Sequence, residues 1–141
     1  MNLAAQKIID ACEEVFDDNS DDCNKFAKAV SAKFGVPLTG NADAIVDQIQ
    51  GAGWTSLADG VEAKAKADDG WLVIGGLKGA DENPPADHGH VVIVVSGPLA
   101  HDKYPTAYWG RLGGGGEKNQ TVNYAWKQAN CDNVVYAARS V

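Results

Sequence analysis

Two hydrophobic rhythms divide the chain near residue 70, and that division limits the folds open to it. Up to residue 68, apolar side chains recur every three to four positions, the period of helices with one buried face. From Trp71 onward they gather in short uninterrupted runs bounded by Gly, Pro, Asn and Asp, the pattern of strands. Residues 3–16 set Ala5, Ile9, Cys12 and Phe16 at helical intervals and predict a first helix, with Cys12 a small buried hydrophobe on its stripe. The polar stretch 17–22 reads as a loop that offers Ser20, Asp21 and Asp22 as N-caps. A second helix carries Phe26, Val30 and Phe34 on one face and stops at Gly35, which places Cys23 in its first turn. Asn41 caps a third, with Ile45, Val46 and Ile49 inward and Gly51 at its end. Trp54 follows in a loop, and residues 58–68 form a short exposed helix.

The second half reads differently. Trp71–Ile74 is a buried strand ended by Gly75-Gly76, and 77–88 is a long surface loop. Residues His90–Val95 are the clearest strand, broken at Ser96-Gly97-Pro98. Tyr104–Leu112 is a further strand, Gly113–Gly116 a flexible loop, Thr121–Ala129 a short helix and Val134–Ala138 a last strand. Helices first and strands afterwards predict an α+β fold, N-terminal helices packed on a small antiparallel sheet. A chain of 141 residues bounds the protein to one domain, 1–141, around a single sizeable core.

Composition excludes partners rather than naming one. The formal net charge is −7 and the pI about 4.7, so the basic footprint of a nucleic-acid binder is missing. The same balance argues against docking on anionic lipid. No stretch approaches the roughly 18 apolar residues of a membrane span, and no insertion is expected. The first residues lack the basic and apolar regions of a signal peptide. Three cysteines, Cys12, Cys23 and Cys131, show no C-x-x-C spacing, and any disulfide would leave one thiol free.

Cys23 and His90 carry the chemistry. A free thiol is mostly protonated at neutral pH. A helix N-terminus presents unpaired N–H groups that favour the thiolate, and a nearby imidazolium favours it further. Asp21 and Asp22 oppose both, so each must cap the helix, point away or be offset. His90 opens a rigid strand, whereas His88 ends a flexible loop; a catalytic base must be held within reach of the thiol. His90 is therefore the expected base, and His88 and His101 are expected at the surface. Gly89, lacking a side chain, would let a substrate or the Cys23 helix come close. Three other readings stand beside this one: an inert Cys23, a zinc site built from Asp87 or His88 with His90 and Cys23, and a strand-ending turn rather than a phosphate loop at Gly75–Gly79. Of the tryptophans, Trp109 is the best placed to reach a substrate, because its strand should neighbour that of His90.

A series of motifs carries a resemblance. Asp22-Cys23-Asn24-Lys25-Phe26, Gly35-Val36-Pro37-Leu38, Gly40–Asp47, Leu72–Gly79, Gly89-His90-Val91-Val92, Ser96-Gly97-Pro98-Leu99 and Lys103-Tyr104-Pro105 run in the order of the first family of type VI secretion amidase effectors. These are compact NlpC-type relatives of papain. The similarity covers roughly residues 8–110. It implies a toxin made in the cytoplasm and injected into the periplasm of rival bacteria. There it would hydrolyse peptidoglycan stem peptides between γ-D-glutamate and meso-diaminopimelate. It also implies Cys23 as nucleophile, His90 as base, no metal or organic cofactor, and two sets of partners: a cognate immunity protein and the secretion apparatus. Expected oxyanion donors include the Cys23 backbone N–H. The loop Ala80–His88 is longer than the family's. No His, Asn or Asp stands on the strand after His90 to orient the imidazole, which leaves a backbone carbonyl near Trp109 for that task. A catalytically silent wall-peptide or protein-binding module and a thiol acyltransferase on the same fold are the competing functions.

Overall fold

The computed structural model describes every residue, Met1–Val141. Five helices and six strands follow in the order α1 (Leu3–Asn19), α2 (Cys23–Lys33), α3 (Ala42–Ile49), β1 (Thr55–Leu57), α4 (Gly60–Asp68), β2 (Leu72–Leu77), β3 (His90–Val94), β4 (Thr106–Trp109), β5 (Glu117–Thr121), α5 (Gln128–Cys131) and β6 (Val135–Arg139). The strands form one sheet in the order β1-β6-β2-β3-β4-β5, every neighbouring pair antiparallel. The architecture is the expected α+β arrangement. No helix is long and apolar enough to cross a membrane.

The sheet is covered on both faces, which is why its central strands are apolar throughout. Helices α1 to α3 pack on one face through Ile8, Phe26, Val30, Ile45 and Ile49, against Ile74, Val91 and Ile93. Helix α4 and the segment 122–134 cover the other, against Val73, Val92, Val94 and Trp109. Phe26, Val30, Ile45 and Ile49 are fully buried. Each such side chain contributes about 1.5–3 kcal/mol by leaving water, so the three helices are held by their inner faces far more than by intrinsic propensity.

Several boundaries differ from those the sequence predicts. Helix α1 runs three residues past Phe16, through the acidic stretch. Phe16 meets Phe26 edge-on at 5.8 Å, and the Ser20 carbonyl accepts the Arg111 N–H at 3.0 Å, so tertiary contacts hold the end of α1 in place. Strand β2 does not stop at Gly75-Gly76 but continues through them to Leu77. A Cβ at Gly75 would meet the Tyr136 ring at 2.8 Å and one at Gly76 the Val46 side chain at 2.7 Å. Those glycines let side chains from both covering layers press onto the sheet. Strands β1 and β5 have no apolar alternation because they are the two edges, and β5 is polar and exposed along most of its length. The single helix expected over 121–129 is instead the end of β5, a 3-10 turn at Val122–Tyr124 and the short α5. Helix α4 is less exposed than its composition suggests, with Ala63 and Ala67 buried against the sheet.

Candidate active site

Cys23 is the first residue of α2 and His90 the first of β3. Asp22 is the N-cap; its side chain accepts the Asn24 N–H at 3.0 Å. Asp21 is turned to Lys25, 3.3 Å away on the exposed side of the helix. The two carboxylates beside the thiol are thus one in a cap and one in a surface pair.

The start of α2 is driven into the end of the sheet where β3 and β4 part. Those strands pair at Ile93 with Tyr108 and Val94 with Ala107, and the ladder goes no further toward His90. Val95 donates its N–H to Thr106, so the odd-numbered residues of β3 turn their N–H groups toward β4. At Val91 no β4 partner follows, and its N–H, with that of Asn24, is close enough to the Cys23 sulfur to favour the thiolate. Gly110 makes the insertion possible: a Cβ there would strike the backbone oxygens of Asn19 and Asp22. A cleft of about 280 Å³ opens over the thiol, lined among others by Asn24, Asn41, His88, Gly89 and Leu112. The close approach that Gly89 permits is taken by the Asp43 carboxylate of α3, which also accepts the Gly79 N–H at 3.0 Å.

The imidazole of His90 faces the other way. It is opposite Leu77 on β2, a residue of the second core, and therefore shares that face of the sheet. Its ring meets Trp126 edge-on at 5.1 Å and Trp109 at 6.4 Å. Nε2 is buried without a hydrogen-bond partner, as are the indole nitrogens of Trp109 and Trp126. Cys23 belongs to the first core, with Val91, and the His90 ring packs on the tryptophans of the second. His88, expected at the surface, is the imidazole that lines the Cys23 cleft. The Trp109 contact with His90 is made by the indole, while its carbonyl lies beside Gly116.

Burial governs the protonation of both groups. It pushes the Cys23 thiol up, the Asp22 charge adds to this, and the Val91 N–H and the Arg111 guanidinium pull the other way. It pushes the His90 imidazole down to about 3, with the Arg111 charge acting in the same direction. The expected stabilisation of a helix-start thiolate is outweighed by desolvation, because Cys23 is only 8% exposed. Burial thus favours the neutral thiol and the neutral imidazole in the free protein. Arg111 acts on both and is itself fixed, its Nη2 donating to the Ala125 carbonyl at 2.8 Å. Arg111→Ala is expected to move alkylation of Cys23 by iodoacetamide to higher pH, followed by the mass of the labelled peptide. A pH profile equal to wild type would show that the guanidinium does not act on the sulfur.

Arg111 and Trp126 were not legible as site residues. Arg111 sits in a turn before four glycines, and Trp126 in a stretch that reads as a helix with a core face. Cys131 braces the Trp126 turn, its sulfur 3.6 Å from the Trp126 carbonyl and 3.5 Å from that of Lys127. All three cysteines are free and buried. No group of three or more His, Cys, Asp or Glu side chains is gathered as a metal site, so the zinc arrangement does not form. A larger hollow of about 450 Å³ lies between His101, Lys103, Tyr104 and Cys131 and contains neither Cys23 nor His90.

A cysteine-headed helix driven into the open end of an antiparallel sheet, with histidine leading the adjacent strand, is a small papain-like α+β architecture. No protein-family model matches the chain. A curated relative does: it is 38% identical to the peptidoglycan amidase Tse1 of Pseudomonas aeruginosa over 152 aligned positions, which span 100% of this chain and 94% of that one. The chain belongs to the family of this peptidoglycan amidase, the type VI effector family its motifs resemble.

Proposed function

We propose that this protein is a peptidoglycan amidase, a cysteine endopeptidase that cuts the γ-D-glutamyl–meso-diaminopimelate bond of stem peptides, and that residues 1–141 form its single catalytic domain. The observation that carries the reading is the Cys23 thiol at the parted end of β3 and β4, one residue along the strand from His90, in a chain whose whole length matches an amidase. Cys23 attacks the amide carbonyl as its proton passes to His90. His90 then protonates the leaving amine, and a thioester remains on Cys23. Water, deprotonated by His90, releases the acyl product. With a raised thiol and a lowered imidazole, the proton moves during attack rather than before it.

This cycle needs Nε2 at the sulfur. In the proposed cycle the His90 side chain rotates away from Trp126 to reach it, at the end of β3 that β4 does not pair with. The backbone N–H of Cys23 is the proposed oxyanion donor, and the Trp109 and Trp126 rings hold the imidazole between turnovers. The protein is proposed to be made in the cytoplasm, to leave through a type VI apparatus and to act in the periplasm of rival cells, opposed by an immunity protein that fills the Cys23 cleft. It uses neither metal nor organic cofactor in this scheme.

Mass spectrometry of digested sacculi tests the bond. Fragments ending in free γ-D-glutamate, with new diaminopimelate amino termini, are the expected products; fragments cut elsewhere would refute the assignment. A second reading, a silent wall-peptide-binding module, draws support from the protonated thiol and the turned imidazole. It predicts intact sacculi in the same digest.

A further inference from the structure

The Arg111–Leu112 turn stands between two hollows. Leu112 lines the Cys23 cleft, and Arg111 lines a second groove of about 400 Å³ with Glu82, Tyr124, Trp126 and Lys127. Trp126 is at once a wall of this groove and the edge contact of His90, so the groove begins one indole away from the imidazole.

Its charge is unlike that of the rest of the molecule. The chain has 19 acidic and 12 basic residues, yet two cations and one carboxylate meet here. Neither Arg111 nor Lys127 takes part in an ion pair with any acidic side chain of the protein. Arg111 is held by the Ala125 carbonyl and keeps its remaining donors free. Glu82 is half-buried and within electrostatic reach of both cations. Tyr124 is 65% exposed along the groove, and the Trp126 indole N–H is buried without a partner. Two free cations, one carboxylate and two aromatic faces suit a ligand that is zwitterionic at its tip and aliphatic along its stem.

We propose that this groove takes the side chain of the diaminopimelate residue on the leaving-amine side of the scissile bond: its distal carboxylate against Arg111 and Lys127, its distal ammonium against Glu82, its methylenes along Tyr124 and Trp126. The assignment rests on the reading of the protein as a γ-D-glutamyl–diaminopimelate endopeptidase. The Arg111–Leu112 turn joins this groove to the Cys23 cleft, so a residue whose amine leaves beside the thiol can extend its side chain across the turn into it. Glu82 comes from the 80–88 loop and Lys127 from the turn before α5. Lysine in place of diaminopimelate would keep the ammonium and lose the carboxylate.

Calorimetric titration of the Cys23→Ala protein with three tripeptides, L-Ala-γ-D-Glu-X, tests this without catalysis. X is meso-diaminopimelate, meso-diaminopimelate amidated at the distal carboxylate, or L-lysine. The first is expected to bind about 10-fold or more tightly than the other two, the loss of a charge-assisted hydrogen bond. Adding Lys127→Ala should bring the three within about 3-fold of one another, and adding Glu82→Gln should weaken all three together, since each keeps the distal ammonium. Equal binding of all three, a preference untouched by Lys127→Ala, or no binding at all would overturn the subsite. Cleavage by the unmodified protein is scored separately. Selective binding without cleavage keeps the subsite and removes the endopeptidase reading; cleavage without selectivity does the reverse.

Discussion

Sacculi treated with the Cys23→Ala protein are expected to release stem peptide at a rate lower than wild type by on the order of 10⁴-fold or more, the usual consequence of deleting a nucleophile. The fold should survive. Cys23 is the first residue of α2, its cap Asp22 is unchanged, and the helix is held by Phe26, Ala27 and Val30 further along. Removing one buried sulfur costs about 1 kcal/mol, similar to other single-group core deletions. Circular dichroism and the thermal midpoint should therefore stay close to wild type while cleavage disappears. Cleavage retained in that variant would remove Cys23 from the mechanism, and with it the proposed function. Cys12 and Cys131 cannot substitute for it, because both are buried away from the cleft in the two cores.

The second large effect is on stability in mild acid. His90 is buried against two indoles and its pKa falls from 6.5 to about 3. Below pH 6.5 the unfolded chain takes up a proton at this position and the native protein does not. A group whose protonated form is disfavoured by folding contributes stability above its unfolded pKa and loses it as pH falls toward the folded one. The slope is about 1.4 kcal/mol per pH unit, so wild type should lose roughly 2 kcal/mol between pH 6.5 and 5. Urea midpoints at pH 7 and pH 5 measure it. His90→Gln has no such proton to take up and should show a much smaller change over that window, while also losing cleavage. Carboxylates that titrate in the same range contribute equally to both proteins and cancel in the difference. Equal pH dependence in the two would show that the imidazole is not held neutral among the tryptophans.

The two predictions bear on one geometric point. Burial raises the Cys23 thiol and lowers the His90 imidazole, so both groups favour their uncharged forms in the free protein. Such a state protects a thiol from oxidation and unspecific alkylation, since the thiolate is the reactive form.

Much of this arrangement was legible in the residues. The 3.6-residue period placed α2 and α3 correctly, the short polar residues offered Asp22 among three candidate caps and marked Asn41 as another, and the apolar run from His90 marked β3. These are local properties: a helix start and a buried strand leave their mark within a few positions. The edges of the sheet were not legible, because a polar five-residue strand such as β5 is defined by the partner it pairs with and not by its own composition. Neither was the passage of β2 through two glycines, which depends on Tyr136 and Val46 pressing from opposite sides.

What the amino-acid order determined alone was the presence of a thiol at a capped helix start and an imidazole at a strand start, in an acidic α+β chain. Only the tertiary structure decided that β3 and β4 part at Val91 to receive that helix, that Trp126 returns from far along the chain to cover His90, and that Arg111 stands between the two. The reason is desolvation. Whether a cysteine or a histidine is charged depends on how much water surrounds it and which charges face it, and both are set by segments distant in sequence and adjacent only in the folded protein.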